Sequence, residues 1–171
     1  MKSKLLFIFL LLTVTLSRTM ADVVTPQTAA LVARNFCYEQ LVQDGVSINL
    51  NEIVLIPVTT REVNGLPVYY VFNLSTGGFI IISGEDAYTP VIGYNDQGAF
   101  PAGELAPHYS SFLAEFDDQI GFIRSNKVSQ PSEIKSSWEY YQTMVNTRYI
   151  PGGNRVQADM CMPVAWLPPC R

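Results

Sequence analysis

The sequence predicts an α+β fold, an antiparallel β-meander sheet with helices packed on one face. Apolar residues recur at helical spacing early in the chain and again after residue 107. Between these stretches lie four short runs rich in β-branched and aromatic residues, separated by turns so short that antiparallel pairing is the simplest connection.

Thr25-Pro26 suits the N-cap and first position of a helix, because proline lacks the donor that the first position leaves unused. Ala29, Val32, Ala33, Phe36 and Leu41 then recur at helical spacing, and Gly45 supplies a stop. Glu52 to Thr59 reads as a strand interrupted or edged by Pro57. Asn64-Gly65 is a hairpin signal, leading into a strand over Leu66 to Leu74. Ser75-Thr-Gly-Gly78 turns the chain into Phe79 to Ile82, and Pro90 to Tyr94 gives a fourth strand. Pro101 to Pro107 is a loop. A second helix is expected from His108 to Asn126, with Tyr109, Phe112, Leu113, Phe116, Ile120 and Ile123 at helical spacing, and a third from about Ser132 to Val145.

The first 21 residues have the form of an export signal. Lys2 and Lys4 precede an apolar run from Leu5 to Leu12, and Thr19 and Ala21 suit cleavage after Ala21. The run is too short, and too soon followed by Arg18 and Asp22, for a membrane span. The expectation is a secreted or periplasmic domain over 22–150 and a Pro/Gly-rich tail over 151–171, with no membrane span after signal cleavage. Lys2, Lys4 and Arg18 are three of eleven basic residues, so the mature chain carries eight against fifteen acidic ones, a net charge of −7. With no clustered Lys and Arg to displace counterions, nucleic acid is a poor partner.

Catalytic chemistry finds little support. His108 is the only histidine, so a Cys–His pair would need it beside Cys37, Cys161 or Cys170, and none of these has a turn that would expose a thiolate. His108 at a helix start reads more simply as a surface or capping residue. Cys37 lies in a helical pattern as a small buried hydrophobe, while Cys161 and Cys170 are close enough in sequence to pair. One histidine and scattered cysteines give no metal-ligand spacing, and no cofactor is expected. Gly77-Gly78 lies between strands and opens no helix, so it is no phosphate cradle. Glu85-Asp86 and Asp117-Asp118 read as solvated surface. The chain is expected not to be an enzyme.

The central segment carries a resemblance. Asn73-Leu-Ser75-Thr76-Gly77-Gly78-Phe79-Ile-Ile-Ile-Ser83-Gly84-Glu-Asp86, then Pro90-Val-Ile-Gly93-Tyr94 and Gly98-Ala-Phe100, is similar to the core of the streptopain-type prosegment, continuing through Ser111-Phe112 and Gln119-Ile120. That domain precedes secreted papain-like cysteine peptidases and also occurs as a stand-alone (Spi-like) inhibitor. Good similarity covers residues 66–124. The motif itself marks the fold, since its glycines suit a tight turn and Phe79 to Ile82 a core face.

The resemblance implies a protein inhibitor of a papain-like cysteine peptidase of the streptopain family, blocking the active-site cleft with the loop between the last strand and the following helix. Here that loop comprises Pro101, Gly103, Glu104, Leu105, Pro107, His108 and Tyr109, with His108 about where the family's streptococcal member has asparagine. A prosegment ancestry also implies a folding-chaperone role. The ending at Trp166-Leu-Pro-Pro-Cys-Arg171 leaves a second possibility, the orphan propeptide of a truncated peptidase. A third, from another class, is a secreted binding or adhesion module, which an exposed aromatic patch would favour over Tyr69, Tyr70 and Phe72 lining the core.

Overall fold

The computed structural model describes residues 22–144. The expected signal peptide, the end of the third helix at Val145, the Pro/Gly-rich tail, Cys161 and Cys170 lie outside the described residues. Helix α1, Pro26–Gln43, starts as its sequence directs: Thr25 Oγ1 accepts the Thr28 N–H at 3.1 Å and Pro26 takes the first turn. Asp44 and Gly45, the latter at φ +79°, end it. A single 3-10 turn, Leu50–Glu52, follows, its Glu52 carboxylate accepting from the Asn49 N–H and Nδ2. That turn takes the start of the expected first strand, so β1 begins later, at Leu55, and runs to Val63.

The strands β1, β2 (Leu66–Leu74), β3 (Phe79–Ser83) and β4 (Val91–Asn95) form one antiparallel sheet in chain order. Asn64 (φ 53°) and Gly65 (φ 74°) make the two-residue link between β1 and β2, with Val63 opposite Leu66. Positive φ at both positions is the geometry that matches strand twist in a tight hairpin. Edge strand β1 shifts register at Pro57/Thr59 and again at Arg61/Glu62, where the missing proline donor and the charged side chains blunt the edge. Helices α2 (Pro107–Ser125) and α3 (Ser132–Thr143) complete the domain.

The expectation of helices on one face is corrected here. Helix α1 and Trp138 of α3 cover one face of the sheet, where Ala29, Val32, Ala33 and Cys37 pack with Tyr70, Phe72, Leu74, Ile80 and Ile82. Helix α2 covers the other, setting Leu113, Phe116 and Ile120 against Val68, Tyr69, Val71, Ile81 and Phe100. The reason lies in β2 and β3, which read Val-Tyr-Tyr-Val-Phe and Ile-Ile-Ile without polar alternation. Both faces of such strands are apolar, and both must be covered. The sheet is thus the middle of three layers.

Glu85 was expected at a solvated surface, and it is buried instead, 1% exposed. Arg124, in the last turn of α2, donates its Nε to Glu85 Oε2 at 2.7 Å and its NH2 group to the Pro67 and Gly84 carbonyls at 2.7 and 3.1 Å. Ser83 Oγ donates to the Glu85 carbonyl and accepts its N–H, closing the turn after β3. Burial pushes the Glu85 carboxyl above its ordinary range, with Arg124 partly offsetting it. Asp117, also expected at a solvated surface, is clamped by Arg61 through Nε at 3.2 Å and NH2 at 2.6 Å, tying α2 to β1.

Gly78, between β2 and β3, has φ +88°, and a Cβ there would overlap the Asn95 carbonyl, whereas a Cβ on Gly65 would meet open space. We expect Gly78→Ala to cost about 3 kcal/mol or more and Gly65→Ala about 1 kcal/mol in urea unfolding, strain plus collision against strain alone. Comparable costs would remove the collision from the account. Arg124→Met strands the Glu85 carboxylate, for an expected loss of about 3 kcal/mol at pH 7. In that variant the carboxyl pKa rises further in the folded state than in the unfolded one, so the folded form holds more protons and stability falls as pH rises through the carboxylate range. The deficit against the parent chain should therefore shrink toward pH 4, and a deficit independent of pH would assign the loss to packing.

Candidate functional site

The sheet hands the chain to α2 through a segment fixed at both ends. At its start, Gly78 N–H donates to the Gly98 carbonyl at 2.8 Å, and Phe100 N–H donates to Asn73 Oδ1 at 2.8 Å. Phe100 is buried, edge-on to Phe79 with ring centroids 5.4 Å apart. At its far end Leu105 is half-buried against the same core, and Tyr109 lies 6.0 Å from Phe100. Between these anchors Pro101, Ala102, Gly103 and Glu104 are exposed. Ala106 is the N-cap of α2 and has no capping side chain, Pro107 opens the helix, and the Ser110 and Ser111 hydroxyls donate back to the Pro107 carbonyl at 3.0 and 2.9 Å. Two prolines, a packed anchor at each end and a helix start leave few backbone torsions free, so little ordering entropy is left to lose on binding.

An aromatic chain supports this segment from below. Tyr109 stacks on Phe112 at 6.4 Å, Phe112 meets Phe116 edge-on at 5.2 Å, and Phe116 meets Tyr88 at 6.1 Å. Burial raises the Tyr109 and Tyr88 phenols above their ordinary pKa. Tyr88 donates its hydroxyl to Gln119 Oε1 at 2.7 Å.

The seven loop residues singled out from sequence therefore divide. Pro101, Gly103, Glu104, Pro107 and His108 face solvent, whereas Leu105 and Tyr109 point into the core and hold the loop down. Phe112, one of the residues at helical spacing in this helix, is 46% exposed and extends the loop surface by one helical turn beyond His108. A side chain at His108 + 4 falls on the same helix face, which is the signal in the sequence for this residue.

The scaffold residues act on the same segment. Asn73 and Gly78 clamp residues 98–100, and Phe79 supplies the ring against which Phe100 rests. Ser75 ties the turn to the start of β1, its Oγ accepting the Val54 N–H at 3.1 Å. Gly77 N–H closes the turn on the Leu74 carbonyl, while Thr76 is exposed. Gly84 N–H donates to the Val68 carbonyl, and the Pro90 carbonyl accepts from Ser83. Gly93 lies opposite Ile81, and Tyr94 packs edge-on to Phe36 at 5.3 Å on the opposite face of the sheet.

Nucleophilic chemistry finds no assembly among the described residues. Cys37 is a buried free thiol in the core under α1, its pKa pushed up to about 12 by burial, and His108 stands exposed on the helix covering the other face. No group of three or more His, Cys, Asp or Glu side chains among the described residues could hold a metal ion. No helix among them is long and apolar enough to cross a membrane. The arrangement offers shape and backbone hydrogen-bonding groups on a stiff support.

Comparison with known proteins places this architecture. The chain is similar to streptopain of Streptococcus pyogenes, including its serotypes M1 and M18, at 39% identity over 51 residues. The aligned stretch takes in 30% of this chain and only 13% of each of those relatives. No solved structure gives a significant match. The family model described as the Spi protease inhibitor matches residues 21–120, from the edge of α1 through the sheet and the loop into α2. That match spans more than half of the chain, and the protein belongs to the Spi protease inhibitor family.

Proposed function

We propose that this chain is an exported, non-catalytic inhibitor of streptopain-type cysteine peptidases. The observation that carries this is the family match over residues 21–120, which contains all four strands and the whole loop. The similarity to streptopain names the class of target. Residues 1–21 act as a cleaved signal, 22–150 as the inhibitor domain and 151–171 as a tail. The loop from Pro101 to Tyr109 enters the active-site cleft of the peptidase, with Pro101, Gly103, Glu104, Pro107 and His108 in contact and Leu105 and Tyr109 as its anchors. In support, the exposed stretch is short, its ends are fixed by the buried ring of Phe100 and by half-buried Leu105 and Tyr109, and the motif residues Asn73, Gly78 and Phe79 hold its base.

The test is inhibition of purified streptopain by residues 22–171, followed by a loop variant. Replacing Pro101, Glu104 and His108 with Ser, with Leu105 and Tyr109 retained, should weaken inhibition by about tenfold or more, as for loss of central contacts. The urea midpoint should hardly move, because the replaced side chains are exposed. Unchanged potency would move the inhibitory surface away from the loop, and absence of inhibition by the folded parent domain would defeat the assignment as an inhibitor.

A further inference from the structure

The segment before α1 is held as tightly as a strand. Val23 forms an antiparallel bridge with Glu85, Val24 N–H donates to the Gly84 carbonyl at 3.0 Å, and the Tyr70 hydroxyl donates to the Val24 carbonyl at 2.7 Å. Asp86 N–H donates to the Asp22 carbonyl at 3.1 Å, and the Asp22 N–H donates to Asp86 Oδ1 at 2.6 Å. The backbone nitrogen of Asp22 is therefore fixed against a carboxylate, in register, by three further hydrogen bonds, two of which make the Val23–Glu85 bridge.

The charge around that nitrogen is unbalanced. Asp22, Glu85 and Asp86 bring three carboxyl groups together, and burial raises the pKa of Asp86, with the Asp22 N–H bond offsetting this in part and the Asp22 carboxylate adding to it. Among the described residues the cation in this group, Arg124, is engaged with Glu85 and with the Pro67 and Gly84 carbonyls. Gln130, from the segment between α2 and α3, bonds the Asp86 carbonyl and brings no charge.

We propose that removal of the signal after Ala21 turns the Asp22 nitrogen into an α-ammonium that forms an ion pair with Asp86, so that maturation at this bond completes the fold. The inference rests on the export proposal. Water adds across the Ala21–Asp22 peptide bond under a signal peptidase, Ala21 leaves as a carboxylate, and the released amine carries the proton. In the uncut chain the same nitrogen is a neutral amide with one hydrogen. The cut adds a positive charge and further donors at a point where the carboxylate is already in place, and charge-assisted bonds are shorter and stronger than neutral ones.

The experiment compares residues 22–171 bearing a free amine with the same chain acetylated at Asp22, each with and without Asp86→Asn. The free amine should favour folding about fivefold over the acetylated chain at pH 6.5, the scale of a partly exposed ion pair. Asp86→Asn should abolish that difference. An amine paired with a carboxylate has a folded pKa above its unfolded value of about 7.7–8.0, so the advantage is full below that range and is lost as pH rises through the raised value. Titration of the 13C-dimethylated amine in the folded protein reads this directly: an elevated pKa supports the pair, and an ordinary or lowered one overturns it. Equal effects of Asp86→Asn in the free and acetylated chains would likewise overturn it. N-terminal sequencing of the exported protein tests the export step separately, since a first residue other than Asp22 overturns maturation at this bond whatever the ion pair does.

Discussion

Everything on the α2 side of the sheet depends on one buried ion pair, Glu85 with Arg124. A single guanidinium reaches the end of β3, the carbonyl of Pro67 at the start of β2 and the Gly84 carbonyl, and so fixes the last turn of α2 against two strands. A buried carboxylate without that partner is costly, and a guanidinium is suited to serving several acceptors in one plane. Glu85 Oε1 remains buried without a hydrogen-bond partner among the described residues, which leaves the pair polar on one side only. The same turn receives residues 22–24, so the pair also organises the approach to α1.

With the C-terminal end of α2 held by charge, its N-terminal end is held by rings. Phe79, Phe100, Tyr109, Phe112 and Phe116 meet in succession at centroid distances of 5.2 to 6.4 Å. Aromatic pairs in these geometries add directional preference to the area they bury. A helix fixed at both ends across a sheet makes the preceding loop an object of defined shape. The central motif thus does more than turn the chain: Asn73 and Gly78 hold the base of the loop from the far side of the β2–β3 turn. The fold signature and the proposed inhibitory loop are coupled through two hydrogen bonds of 2.8 Å.

The other face of the sheet has a different task. Helix α1 and Trp138 close a core that includes the inert thiol of Cys37 and two edge-on contacts of Phe36, to Tyr94 and Tyr141. Trp138 Nε1 donates to the Tyr88 carbonyl, and Gln130 to that of Asp86, so α3 and the segment leading to it reach back to the turn after β3. Both layers converge on residues 84–88, which places residues 22–24, the end of α2 and the approach to α3 around one short turn.

The sequence by itself determined what is local. Thr25-Pro26 began α1, Asn64-Gly65 made the hairpin, and the four apolar runs became strands in chain order, because caps, turns and periodicity act within a few residues. The loop between Phe100 and α2 was also legible, from the change in texture around its prolines. Only the tertiary structure decided which faces were covered, which of the loop residues are anchors, and that Glu85 lies inside while Phe112 lies partly outside. These are properties of contacts between residues far apart in sequence, such as Arg124 with Pro67 or Asn73 with Phe100, and no short window of sequence contains both partners. An acidic pair reads as surface until a cation 39 residues away is folded against it.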